Sequence, residues 1–170
     1  MADARYNFGS LESIKAEAIG EPGQRQFRIV VNSTAGQASL WLEKNQLFRL
    51  SVVIKQSLIT LAQETTSSNI LSDEPLQTSN DTHYLEIEVG NITLSHEPNE
   101  NLFSVSVHNL DEPPEGEARL IFKMSPKQMS DFADEAQEVC AAGRPLCPLC
   151  NSPIGQDPHR CARSNGHNAN

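Results

Sequence analysis

Cationic side chains are in short supply in this chain, which carries 13 Lys and Arg against 22 Asp and Glu for a formal net charge of −9. A general nucleic-acid binder neutralises phosphates with a surplus of Lys and Arg, so this balance argues against that class for the bulk of the protein. The deficit is uneven. From Cys140 onward Arg144, Arg160 and Arg163 face only Asp157, leaving that segment at +2 and residues 1–139 at −11, with 10 basic and 21 acidic groups. Aromatics are also scarce, with one Trp, two Tyr and six Phe. The basic tail has none, and so lacks the rings on which nucleic-acid bases stack.

Long apolar runs are missing as well. No stretch approaches the roughly 20 residues of a membrane-spanning helix, and the region after Met1 lacks the apolar core and small-residue cleavage pattern of a signal peptide. The expectation is a cytoplasmic, bacterial-type protein without a membrane segment. In a reducing compartment the four cysteines are then to be explained by metal or by core packing, not by disulfides. Catalytic signatures are absent too: there is no metalloprotease helix motif, nucleophile elbow, phosphate loop or dinucleotide fingerprint.

What is present is clear periodicity. Tyr6–Leu11, Ser13–Ile19, Gln26–Asn32 and Gln37–Leu42 read as strands, separated by the Gly20-Glu21-Pro22-Gly23-Gln24 and Asn32-Ser33-Thr34-Ala35-Gly36 turns. From Lys44 the period lengthens, and Leu47, Leu50, Ile54, Leu58 and Leu61 form one stripe of a helix, with Trp41 and Phe48 expected to pack near its start. Residues 64–81 are polar and read as a long loop. Leu85, Ile87 and Val89 alternate with Glu86 and Glu88, and the run continues to Ile92 and Leu94 past a bulge at Gly90. Strands around Phe103–Val107 and Leu120–Phe122 follow. Ser125 and Pro126 then open a second helix with Met129, Phe132, Ala133, Ala136 and Cys140 on its apolar face.

These elements predict an α+β fold: an antiparallel sheet of about seven strands in two β-rich halves, each followed by a helix packed on the sheet. An acidic body over 1–142 contains a candidate pseudo-repeat, 1–63 and 82–142. Its helix starts align Lys44-Asn45-Gln46 with Pro126-Lys127-Gln128, in which the glutamine is shared.

Residues 143–170 form a separate tail. Cys147-Pro148-Leu149-Cys150 is a C-x-x-C pair in a proline-bearing loop, and His159-Arg160-Cys161 supplies two further ligands. The eight residues from Asn151 to Pro158 contain almost nothing apolar, so no hydrophobic core holds this segment. A Cys3His zinc centre can, because ligation contributes folding energy directly. Cys147, Cys150, His159 and Cys161 are the candidate ligands of one structural Zn2+, with His167 as the alternative to His159. A redox pair is the competing reading of the C-x-x-C, although the flanking prolines favour a loop over the helix start such chemistry uses. Cys140, on an apolar helix face, reads as core.

Together with Gly20-Glu21-Pro22-Gly23-Gln24-Arg25 and Leu42-Glu43-Lys44-x-Gln46, the tail sequence Ala142-Gly143-Arg144-Pro145-Leu146-Cys147-Pro148-Leu149-Cys150, followed by His159-x-Cys161 and Ala162-Arg163-Ser164-Asn165-Gly166, resembles the domain-of-unknown-function family 3090. The resemblance covers nearly the whole chain and implies His159 as a ligand, but brings no activity with it. Three functions compete. The first is a non-catalytic interaction or scaffold module, with a closed zinc site and an unidentified protein partner. The second is a ligand-binding protein or enzyme with a site between sheet and helices, near Glu21, Arg25, Glu43, Lys44 and Gln46. The third is weak nucleic-acid binding by the basic knuckle.

Overall fold

The computed structural model describes residues 4–21, 23–64, 82–142, 147–150 and 161. Its elements in chain order are β1 (Ala4–Ser10), β2 (Ser13–Ile19), β3 (Gln26–Ser33), β4 (Gly36–Leu42), α1 (Lys44–Glu64), β5 (His83–Glu97), β6 (Leu102–Asn109), β7 (Ala118–Met124) and α2 (Pro126–Ala141). The loop expected over 64–81 lies outside the described residues, except for Glu64, which ends α1. None of the helices is long and apolar enough to cross a membrane.

The seven strands form one sheet in the order β1-β7-β6-β5-β4-β3-β2. The expectation of an antiparallel sheet is corrected here, because β1 runs parallel to β7 and β4 parallel to β5, making the sheet mixed. Between β4 and β5 the cause is α1, which carries the chain back so that the next strand starts at the same end as its neighbour. Side-chain alternation is blind to this difference, since it is the same in both strand directions.

Although β1 and β2 stand at opposite ends of the strand order, only Leu11 and Glu12 separate them in the chain. Leu11 N–H donates to Lys123 O of β7 at 3.1 Å, and Glu12 N–H to Asn32 O of β3 at 2.8 Å. The sheet therefore curls until its two edges meet in one bent segment, which leaves little open edge for non-native pairing. The other corner is in β5, whose first half pairs with β4 and whose second half pairs with β6. The register shifts between Val89 and Asn91, where a Cβ on Gly90 would come within 2.9 Å of Asn109 O and Leu110 Cα. Only glycine fits so close a backbone approach.

Much of the pairing in one half has a counterpart in the other, although the β1/β7 ladder shifts register between Asn7 and Ser10 and the β4/β5 ladder does not. Ala4↔Ala118 and Tyr6↔Leu120 at the β1/β7 ladder match His83↔Gly36 and Leu85↔Ala38 at β5/β4. Ser13↔Asn32 matches Asn91↔His108, and Phe27↔Leu42 matches Phe103↔Met124. The shared glutamines occupy equivalent places. Gln128 Oε1 accepts from Ser125 N–H at 3.0 Å while its Nε2 donates to Leu11 O at 2.9 Å, at the β1–β2 corner. Gln46 Oε1 accepts from Glu43 N–H at 2.8 Å while its Nε2 reaches Val89 O at 3.4 Å, at the β5 corner. Each glutamine thus caps a helix and ties its first turn to a bend in the sheet.

The α2 face is the one its periodicity predicts: Met129, Phe132, Ala133, Ala136 and Cys140 are buried, and Ser125 and Pro126 open the helix with a complete capping box. In α1 Leu47 and Ile54 are fully buried while Leu50, Leu58 and Leu61 are partly so. Phe48, expected to pack at the helix start, is half exposed, since it lies off the buried stripe. The helices meet through Lys55, which bonds Asp134 at 2.7 Å and Gln137 at 2.8 Å. Ala16 N–H of β2 donates to Glu135 at 3.1 Å. Beneath the helices Ile54, Met129 and Phe132 close on Ile29, Leu40 and Val107, leaving a gap of about 10 Å3. So small a gap, lined by apolar side chains, leaves the core closely filled.

Candidate metal centre

Three of the four predicted ligands are described, and the fold brings them together. The thiol sulfurs of Cys147, Cys150 and Cys161 all lie within 4.8 Å of one another. Cys147 Sγ and Cys161 Sγ are 3.7 Å apart. Four ligands at the usual Zn–S distance of about 2.3 Å occupy the corners of a tetrahedron with edges of about 3.8 Å, so this spacing fits a shared tetrahedral ion. It is far too long for a disulfide, whose bond is about 2.05 Å. No disulfide joins any of the four cysteines.

Local sequence explains the arrangement. Cys147 begins a turn through Pro148, Leu149 and Cys150, and the proline holds φ near the turn value, so both thiols converge on one side. Cys147 is 2% exposed and Cys150 and Cys161 are partly exposed. Neither feature suits a redox couple, which places an accessible thiol at a helix start. His159, the predicted fourth ligand, and His167, its alternative, lie outside the described residues, as do Arg144, Arg160 and Arg163.

Cys140 stands apart from the cluster. It is 4% exposed on α2, and its thiol donates to Lys44 O at 3.8 Å. Burial pushes its pKa up, against a smaller opposing effect of Lys44, which keeps the thiol protonated and unreactive. The remaining described histidines also serve the fold. His83 packs edge-on against Tyr6, His96 lies against Phe103, and His108 Nε2 meets Gly116 O at 3.3 Å. Among the described residues the three tail cysteines are the one group suited to a metal.

The strand-to-helix junction also holds candidate residues. Arg25, Glu43, Lys44 and Gln46 line a cleft of about 630 Å3, whereas Glu21 does not line it. Trp41, Glu88 and Leu110, which periodicity alone does not single out, line it too. The signal for Trp41 and Glu88 is their direct pairing across β4 and β5, which becomes visible only once those strands are known to be neighbours.

With this geometry in hand, comparison with known proteins places the chain. The family model described as protein of unknown function, DUF3090, matches residues 6–161. The chain belongs to this family. No curated protein and no solved structure matches it. The family match takes in the sheet from Tyr6 onward, both helices and all three clustered cysteines, so the candidate metal site lies within the matched region.

Proposed function

We propose that this DUF3090 member is a non-catalytic interaction or scaffold protein, cytoplasmic, whose tail is folded around one structural zinc ion held by Cys147, Cys150, Cys161 and His159. The observation that carries this reading is the convergence of three thiols within 4.8 Å of one another, with Cys147 and Cys161 at 3.7 Å. A fourth protein ligand completes the shell and leaves no position for water or substrate, which is the pattern of structural rather than catalytic zinc. The basic tail sequence, with Arg144, Arg160 and Arg163, contrasts in charge with the acidic body and suits an acidic surface on a protein partner.

Metal analysis of the purified protein tests this, with on the order of one zinc per chain expected and most of it lost in Cys147→Ser. X-ray absorption at the zinc edge is expected to show three sulfur neighbours and one nitrogen. A water-derived oxygen in place of the nitrogen overturns the closed, non-catalytic site. Metal-free protein from zinc-supplemented cells overturns the zinc assignment altogether.

A further inference from the structure

The cleft lined by Arg25 and Lys44 lies at the carboxyl end of β4, where α1 begins, beside the bend of the parallel neighbour β5. A crevice opens here because β4 ends and α1 turns away, while β5 bends at Gly90 and leaves β4 to pair with β6. Its volume of about 630 Å3 falls within the range of small-molecule sites.

The two ends of the cleft differ in charge. Arg25 and Lys44 stand at the end nearest the C-terminus of α2: Arg25 Nη1 donates to Ala142 O at 2.8 Å, and the Lys44 backbone meets Cys140. In a chain with nine more acidic than basic groups, neither cation takes part in an ion pair among the described residues. Arg25 Nε is buried without a hydrogen-bond partner among those residues. A buried guanidinium N–H left unpaired is costly and calls for an acceptor. Glu88 and Leu110, linked by a 2.7 Å bond from Leu110 N–H to Glu88 O, form the opposite end.

Between the ends stands the one tryptophan in the chain. Trp41 is held firmly, its Nε1–H donating to Glu86 and the Arg28 guanidinium lying 5.5 Å from the ring centroid. A fixed, partly exposed indole offers a flat surface to a ring at low entropic cost.

The second half of the fold supplies an internal control. At its matching corner Lys123 replaces Trp41 and bonds Glu97 at 3.0 Å and Glu100 at 2.7 Å, filling the corner with internal ion pairs. Ser125 and Pro126 replace Glu43 and Lys44 and complete the cap of α2. The fold therefore builds a stable corner without unpaired cations or an open indole. Architecture alone does not account for the set at the first corner.

We infer that the cleft formed by Arg25, Trp41, Lys44 and Glu88 binds a small organic anion of the mononucleotide class. Its phosphate lies against Arg25 and Lys44, its planar ring against Trp41, and the ring's N–H donors against Glu88.

The single tryptophan allows a direct test by following its indole N–H resonance in 15N-labelled protein. Adenosine 5′-monophosphate is expected to shift that resonance saturably, with a Kd on the order of 0.1 to 1 mM. Adenosine and inorganic phosphate, each lacking one half of the recognised chemistry, are expected to bind at least tenfold more weakly. Lys44→Gln, at an exposed position, is expected to weaken the nucleotide at least fivefold while leaving thermal stability unchanged, and Arg25→Gln to weaken it further. No saturable shift up to about 10 mM nucleotide overturns the inference. So does equal binding of adenosine or of phosphate alone, or an unchanged Kd in a folded Lys44→Gln variant.

Discussion

Replacing Gln128 with Ala removes two hydrogen bonds from a single side chain, and their surroundings set the size of the effect. The Gln128 amide donates to Leu11 O at 2.9 Å and accepts from Ser125 N–H at 3.0 Å. Leu11 is 6% exposed at the corner where the sheet edges meet. Its carbonyl has no ready access to water once the glutamine is gone. A buried polar group left unpaired costs about 1–3 kcal/mol, and loss of half a capping box adds about 1 kcal/mol, so Gln128→Ala is expected to destabilise by about 2–4 kcal/mol. Gln46→Ala provides the comparison. Its bond to Val89 O is 3.4 Å long and Glu43 is exposed, so water can replace most of what is lost and the expected cost is about 1 kcal/mol or less. Urea unfolding followed by circular dichroism measures both. Gln128→Glu sharpens the comparison, because a carboxylate retains the acceptor for Ser125 N–H but has no donor for Leu11 O. It should be no more stable than Gln128→Ala. A Gln128→Ala cost below about 0.5 kcal/mol, or one no larger than that of Gln46→Ala, refutes the assignment of this corner as a buried tie.

Two further outcomes follow from the same structure. At Gly36, where β4 pairs with β5, a Cβ would lie 2.1 Å from His83 O and 2.8 Å from His83 N, so Gly36→Ala is expected to separate the strands and cost more than about 3 kcal/mol, read as a lowered urea midpoint. Stability should also fall at alkaline pH. Lys123 has its pKa raised above 10.5, chiefly by its bond to Glu100 and against the opposing effect of burial, and the Cys140 thiol is raised above 9.0 by burial. Both groups hold their protons more tightly when folded. Their contributions are intact below pH 9, and that of Cys140 declines as pH passes 9.0 and that of Lys123 as it passes 10.5. Cys140→Ala should flatten the first part of this decline in pH-dependent unfolding curves, and Lys123→Met the second.

Local chemistry made much of the fold legible. The Ser125-Pro126 start and the buried face from Met129 to Cys140 could be read because capping and helical period depend on neighbours within a few positions. The strands, the Gly90 bulge and the convergence of Cys147, Cys150 and Cys161 followed from alternation, turn residues and ligand spacing. Phe48 shows the limit of this reading. It was expected to pack near the start of α1, but it lies off the buried stripe and is half exposed.

Sequence by itself determined which residues form elements, which helix and strand faces are apolar and which three cysteines come together, because each rests on short-range periodicity or spacing. Only the tertiary structure decided that β4 runs parallel to β5, that β1 returns to β7, and that Leu11 and Glu12 join the two edges of the sheet. It also decided that Trp41 stands beside Glu88 of the neighbouring strand in a cleft that Arg25 and Lys44 also line. The physical reason is that an alternating strand has the same pattern in either direction and beside any partner. Its neighbours are chosen by how the whole chain buries its apolar faces together, and that choice is written in no single segment.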